Sequence, residues 1–433
     1  MATTPRSTSP GVRARGLVGW RSADSPTRLR VATAVTVLAG VVLSLGGWYA
    51  IDRRDTAIGD AAGAAAQLIQ VQDVRVQLVQ ADSLASTAYL VGGQESPESR
   101  TEYDEHVSEA SAGLLRAVQG ATVADRAELE AAAQSFARYV GLVEQARANN
   151  RQGFPVGAAY QREARQVASD VVASLRTVEE RTRSRVDDST RRAYRSSWLL
   201  VLSALLVLVL LMLGSWWLAT RWRRLVNVPI ALAGVITVLV LTVGVAINGR
   251  AVARAGDAVS GPLSAADLVA QARAAGFDAR SSEALTLINR GNGAAYEEQW
   301  QLSASVVRQA LEQSCDAHGV GCNAADASAT YETSHAVVRD LDDQGDWDHA
   351  VELATAGTID GIPSDEQADP PADFAAFARA TQADLQAQSS AAQREFDLAD
   401  DALPLLRLLV VLAGLAVALL AALGYGQRSR EYR

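Results

Sequence analysis

The sequence predicts an all-α protein, with four transmembrane helices carrying two extracytoplasmic up-and-down four-helix bundles. Three observations predict it. The 433-residue chain is 49% hydrophobic, and its apolar residues gather into four charge-free runs near the length needed to cross a hydrocarbon core. The segments between those runs are rich in Ala, Gln, Glu, Arg, Leu and Val and follow a helical rather than an alternating period. Glycine and proline fall between the periodic stretches, where helices must end.

The runs are Val31 to Ile51, Trp198 to Ala219, Leu225 to Ile247 and Leu408 to Tyr425. The first exceeds the apolar core of a cleaved leader, and no clear A-x-A site stands at its end before Asp52, so it is read as an anchor. Arginines set the orientation. Arg6, Arg13, Arg15, Arg21, Arg28 and Arg30 precede the first run, Arg221, Arg223 and Arg224 separate the second from the third, and Arg428, Arg430 and Arg433 follow the fourth. Both termini and the short loop are therefore expected in the cytoplasm, with the protein in the cell membrane and its spans against lipid. The resulting plan is a basic tail (1–30), span (31–51), outside domain (52–197), span (198–219), loop (220–224), span (225–248), outside domain (249–404), span (405–425) and tail (426–433).

Within the first outside segment, helices are expected at 52–91, 98–119, 124–149 and 157–197, with Gly92, Gly93, Pro97, Gly120, Gly153 and Pro155 at the breaks. The second repeats the scheme at 252–290, 294–315, 324–342 and 372–403, with an irregular stretch at 343–371 that has room for one short helix over Trp347 to Ala356. Each set makes an up-and-down bundle whose outer helices continue into the spans. A faint duplication supports the plan. The stretch Asp82, Ser83, Ala85, Gly92, Gly93, Tyr103 has a counterpart in Asp278, Ser281, Ala284, Gly291, Gly293, Tyr296.

Charge divides unevenly. The first outside segment holds 18 Arg against 21 acids and the second 9 Arg against 26, so the second repels anions and nucleic acid is not an expected partner. Arg75 and Asp82, seven residues apart, share a helix face, and Arg273 and Asp278 are roughly analogous in the second segment. Such a pair is either a structural salt bridge or, within a bundle, a receptor for the carboxylate and ammonium groups of an amino acid.

Cys315 and Cys322 are the two cysteines of the chain. Outside the cytoplasm so close a pair reads as a disulfide pinning a turn; His318 between them raises a metal site, but two thiols and one imidazole fall short of a closed zinc site. His106, His318, His335 and His349 lack metal-ligand spacing and are expected at the surface. No phosphate loop, nucleophile elbow or zinc-protease helix appears, which argues against an enzyme and calls for no cofactor. In the fourth span Gly414, Ala418, Ala422 and Gly426 recur every four residues, a stripe that lets another helix approach closely within the protomer or across a homodimer.

A helical bundle held between two spans resembles the ligand-binding part of bacterial chemoreceptors and sensor kinases. Two such units on one Ala-rich, all-Arg chain look like the actinobacterial tandem-sensor membrane proteins of the glutamine-sensing (GlnX-like) system. The resemblance implies a non-enzymatic sensor or adaptor that takes extracellular amino-acid status from a solute-binding protein and passes it to a cytoplasmic kinase or other signalling protein. The cytoplasmic pieces are short, so Arg221, Trp222, Arg223 and Arg224 are the candidate contacts for that partner. Two other readings are a structural or assembly factor of the cell envelope and a transporter subunit. The charge-free spans disfavour the transporter.

Overall fold

The computed structural model describes residues 25–91, 95–222, 227–360, 363, 367–400 and 403–430. Every regular element among them is a helix. In chain order these are α1 (Ser25–Leu90), α2 (Pro97–Gly120), α3 (Val123–Arg151), α4 (Val156–Trp222), α5 (Val228–Ala258), a π-helical turn (Val259–Leu263), α6 (Ser264–Ile288), α7 (Ala294–His318), α8 (Cys322–Asp343), α9 (Trp347–Ala356), α10 (Pro370–Asp400) and α11 (Leu403–Arg430). The first three spans run into their neighbouring helices without a break, in keeping with the expectation that the outer helices continue into the spans. α1 and α4 each run on as one helix, and α5, the π turn and α6 join into a single helical run of 61 residues. Nothing at residues 52 or 197 stops a helix: no Gly or Pro stands there, and the composition changes without a change of backbone preference. Pro262 lies inside the π turn, where the widened backbone absorbs its missing N–H.

The chain divides into two compact units. The first is built from Met1–Thr56, Ala193–Ala251 and Asp401–Arg433. It contains the four candidate spans, which are long and apolar enough to cross a membrane. Small residues fill its centre: Ala39, Leu43, Ala204, Val207, Ala233 and Val417 are buried, while Leu38, Leu202, Met212, Leu239 and Leu412 point outward. An apolar exterior around a small-residue interior is the arrangement of helices packed in lipid. Part of the glycine and alanine stripe of α11 makes this contact within the protomer. A Cβ added at Gly414 would strike Ser44 and the Gly40 carbonyl, and one added at Gly40 would come within 2.6 Å of the Ala418 backbone. Ser44 Oγ donates across the same approach to the Val411 carbonyl at 3.1 Å. Further along, Ala422 is partly buried and Gly426 faces open space.

Arg54 is fully buried in this unit and donates to the carbonyls of Ala193 and Asn248, tying α1 to α4 and α5. Arg407, near the start of α11, pairs with Asp55 on α1 and lies 3.4 Å from Asp52.

The second unit, Ala57–Arg192 with Val252–Asp400, contains both helical halves. In the first half, heptad-like positions of four helices close one core. Val71, Val74 and Leu78 of α1 and Tyr103 and Leu114 of α2 pack with Leu129, Phe136 and Tyr139 of α3 and Val171, Leu175 and Val178 of α4. Ser96 caps α2, its hydroxyl accepting from the Ser99 amide, and Pro97 follows at the first helical position. In the second half α6, α7, α8 and α10 enclose Ala272, Trp300, Val307, Leu311, Tyr331, Phe374 and Phe377. The short α9 lies over its end, packing Ala350 and Leu353 against Leu287 and Val338. Cys315 and Cys322 are joined by a disulfide across the turn from α7 to α8, where Gly319 and Gly321 adopt the left-handed conformation that a side chain resists.

Candidate functional site

The two halves of the second unit meet along a seam formed by α1 and α4 on one side and α6 on the other. Its dry centre is Val76 and Val79 of α1 against Ala274 of α6, with Val172 of α4 and Phe277 of α6 alongside. Polar contacts flank that strip. α6 presents Asp267 and Asp278 eleven residues apart, about three helical turns, and hence on one face. Asp267 accepts from Gln72 of α1 and pairs with Arg183 of α4. Asp278 pairs with Arg165 of α4, and the same guanidinium pairs at 2.5 Å with Asp82 of α1. Ser281 of α6 donates to Asp82 at 2.9 Å and shares a hydrogen bond with Ser86 of α1 at 3.0 Å.

Arg165 is the hub of this arrangement. Burial would weaken its charge, but the two carboxylates outweigh burial and push its proton affinity above that of an ordinary arginine. Burial likewise opposes ionisation of Asp278, yet Arg165, the Ser303 hydroxyl at 2.6 Å and the Gln299 amide at 3.0 Å hold its carboxyl below the usual range. Asp82 is almost fully enclosed, and its Oδ1 has no hydrogen-bond partner among the described residues.

Beside the hub a cavity of about 140 Å3 opens between the halves, lined by Arg75, Asp82, Arg165, Arg176, Asp278 and Gln299 among others. A single water needs roughly 10–15 Å3 of such space, so the cavity holds several waters or one small solute. Of the four residues singled out in the sequence, the structure brings Arg75, Asp82 and Asp278 to this cavity. Arg75 does not pair with Asp82, however. It donates through Nε to Glu179 of α4 at 2.7 Å.

Arg273 lies elsewhere, buried in the second half, where burial pulls it down to about 10. Its guanidinium donates to the Ala378 carbonyl and to Thr381 Oγ1, and sits 5.1 Å from the centre of the Phe277 ring. Gln80, its amide oxygen turned towards the guanidinium, accepts from Arg273 Nε at 3.2 Å. These contacts make Arg273 a tie across the seam rather than part of the cavity wall. Arg223 and Arg224 lie outside the described residues, as do the side chains of Arg221 and Trp222 and the basic tail to residue 24.

A second charged cluster sits inside the second half. His335, expected at the surface, is buried face to face with Trp300 at 3.7 Å between ring centres. Its Nδ1 lies 2.7 Å from Glu283 and its Nε2 3.3 Å from Glu297. Arg280 also pairs with Glu283, at 2.7 Å, and donates to the Ala354 carbonyl under α9. Burial disfavours the imidazolium, but the hydrogen bonds and charges of the two glutamates prevail and raise the His335 pKa above its ordinary value. Among the described residues no cluster of His, Cys, Asp and Glu could hold a metal ion.

With this geometry in place, the first half matches a known family. Residues 57–191 fit the family model of an actinobacterial sensor domain. That stretch is similar to a domain that senses, which supports a sensor protein of actinobacterial type and points to a non-catalytic role. No curated protein and no solved structure matches the chain. The match includes Arg75, Asp82, Arg165, Arg176 and Glu179, so the sensor-like segment supplies one wall of the seam and α6 the other.

Replacing Arg165 leaves the enclosed Asp82 carboxylate without its cation and facing Asp278, and Arg165→Ala is expected to cost about 3 kcal/mol of unfolding free energy in chemical denaturation. Adding Asp82→Asn and Asp278→Asn to that variant should recover part of the loss. The His335 contribution is fully present below its unfolded value near pH 6.5 and fades as pH rises through the higher folded value. The thermal midpoint of the wild type should therefore fall over that window, and His335→Gln should flatten the dependence.

Proposed function

We propose that the chain is a transmembrane sensor and adaptor that relays extracellular amino-acid status, received through a docked solute-binding protein, to a cytoplasmic kinase. One observation carries this reading. The three partners of the central bridge lie on helical runs that also carry candidate membrane spans. Asp82 is on α1 with the first, Arg165 on α4 with the second, and Asp278 on the α5 to α6 run with the third. A change at the seam therefore acts on helices that continue into the spans, and packed helices shift between discrete arrangements more readily than they deform. The sensor-domain match over residues 57–191 supports the sensing half of the proposal.

The side assignment follows from the arginines flanking the spans, which put both termini and residues 220–224 in the cytoplasm. The relay then leaves through the basic loop of Arg221, Trp222, Arg223 and Arg224. The test is a photocrosslinking residue introduced at position 223 of the full chain in cells, with and without amino acids outside. The expected result is capture of a cytoplasmic protein kinase whose yield depends on nutrient. Capture of no cytoplasmic protein under any condition would rule out the relay and favour an envelope protein that only holds partners together.

A further inference from the structure

The seam cavity contains more cationic capacity than its own carboxylates consume. Arg165 is committed to Asp82 and Asp278. Arg75 engages Glu179 through Nε; its side chain is 3% exposed, and among the described residues its two Nη groups have no hydrogen-bond partner although Arg75 lines the cavity. Arg176, at the exposed mouth one turn before Glu179, has neither a hydrogen bond nor an ion pair among the described residues. Partial burial lowers its proton affinity and the charge of Arg75 lowers it further, against the opposing pull of Asp278 and Glu179. Two guanidinium groups thus share one small space, with Glu179 engaging only the Nε of one of them, and their remaining N–H groups are free to bind a carboxylate. The opposite wall carries the reverse sign, with Asp278 a quarter exposed and Gln299 beside it.

We propose that this cavity is a receptor site for a small zwitterion of the α-amino-acid type, bound directly by the chain. Its carboxylate lies between the Arg176 guanidinium and the Arg75 Nη groups, and its ammonium faces Asp278. A cavity of about 140 Å3 restricts the ligand to a small solute. The site also has a built-in readout, because an ammonium at Asp278 competes with Arg165 for the same carboxylate and so acts on the bridge between the halves. The inference rests on the sensor reading and adds to it, beside input from a docked protein, recognition of the ligand by the chain itself.

The test is calorimetric titration of the full chain in lipid nanodiscs with glycine, L-glutamine and L-glutamate, and with acetate as the carboxylate that lacks an ammonium. At least one amino acid should bind with one site per chain. Arg176→Gln should weaken that binding about tenfold or more, Arg176→Lys should retain part of it, and Arg151→Gln, at an arginine without an ion pair far along α3, should leave it unchanged. Because Arg176 is exposed, its variants should fold, and an unchanged thermal midpoint without ligand checks that they do. Absence of binding by all three amino acids, binding indifferent to Arg176→Gln, or acetate binding as tightly as the amino acids would each overturn the proposal. Failure here alongside nutrient-dependent capture at position 223 would remove the direct site and leave the relay standing, whereas failure of capture alone would do the reverse.

Discussion

One guanidinium, that of Arg165, holds two carboxylates that belong to different halves of the chain. Removing a charge from water is expensive, and an enclosed Asp82 is tolerated only because a cation is fixed against it. The cation in turn is drawn to Asp278 across the seam. Replacing such a triad by apolar residues would often stabilise a protein as well or better, so its value lies in specificity. The strip of Val76, Val79 and Ala274 beside it is small and featureless and would tolerate sliding by a turn. The polar contacts of Asp267, Asp278 and Ser281 define one register for α6 against α1 and α4.

That register matters because the helices concerned are long. α1 and α4 carry seam residues and candidate spans on single helices of 66 and 67 residues. Within the spans the packing is set by size instead of charge, as where α11 meets α1 at Gly40, Ser44 and Gly414. Close backbone approach suits an environment that offers no hydrophobic drive for association. The protein thus uses polar specificity where water competes and small-residue fit where lipid does.

The architecture was legible because its signals are collective. Four apolar runs, a helical period and clustered glycines each average over many residues, and the all-helical fold with four candidate spans follows them. Asp82 and Asp278 were also found, through the faint repeat between the halves, and the structure gives them a common partner. That partner was missed. Arg165, Arg176 and Glu179 lie on α4, 83 or more residues from the partners Asp82 and Asp278, and in sequence they look like ordinary charges on a solvated helix face. Arg75 and Asp82 were paired by the helical repeat alone, but a side chain buried between two helices takes the partner that the neighbouring helix offers, here Glu179. His335 was assigned to the surface for a similar reason, since only folding brings Glu283 and Glu297 around it and makes its burial tolerable.

The account rests on Asp82 and Asp278 being coupled through Arg165, and the most direct test is a double-mutant cycle on the full chain. Asp82→Asn, Asp278→Asn and the double variant would be compared by the change in unfolding free energy. Because both carboxylates share one guanidinium, the account predicts effects that fail to add, with an interaction energy above about 0.5 kcal/mol. Effects that add to within about 0.3 kcal/mol would show two independent surface charges and contradict the bridge on which the seam depends.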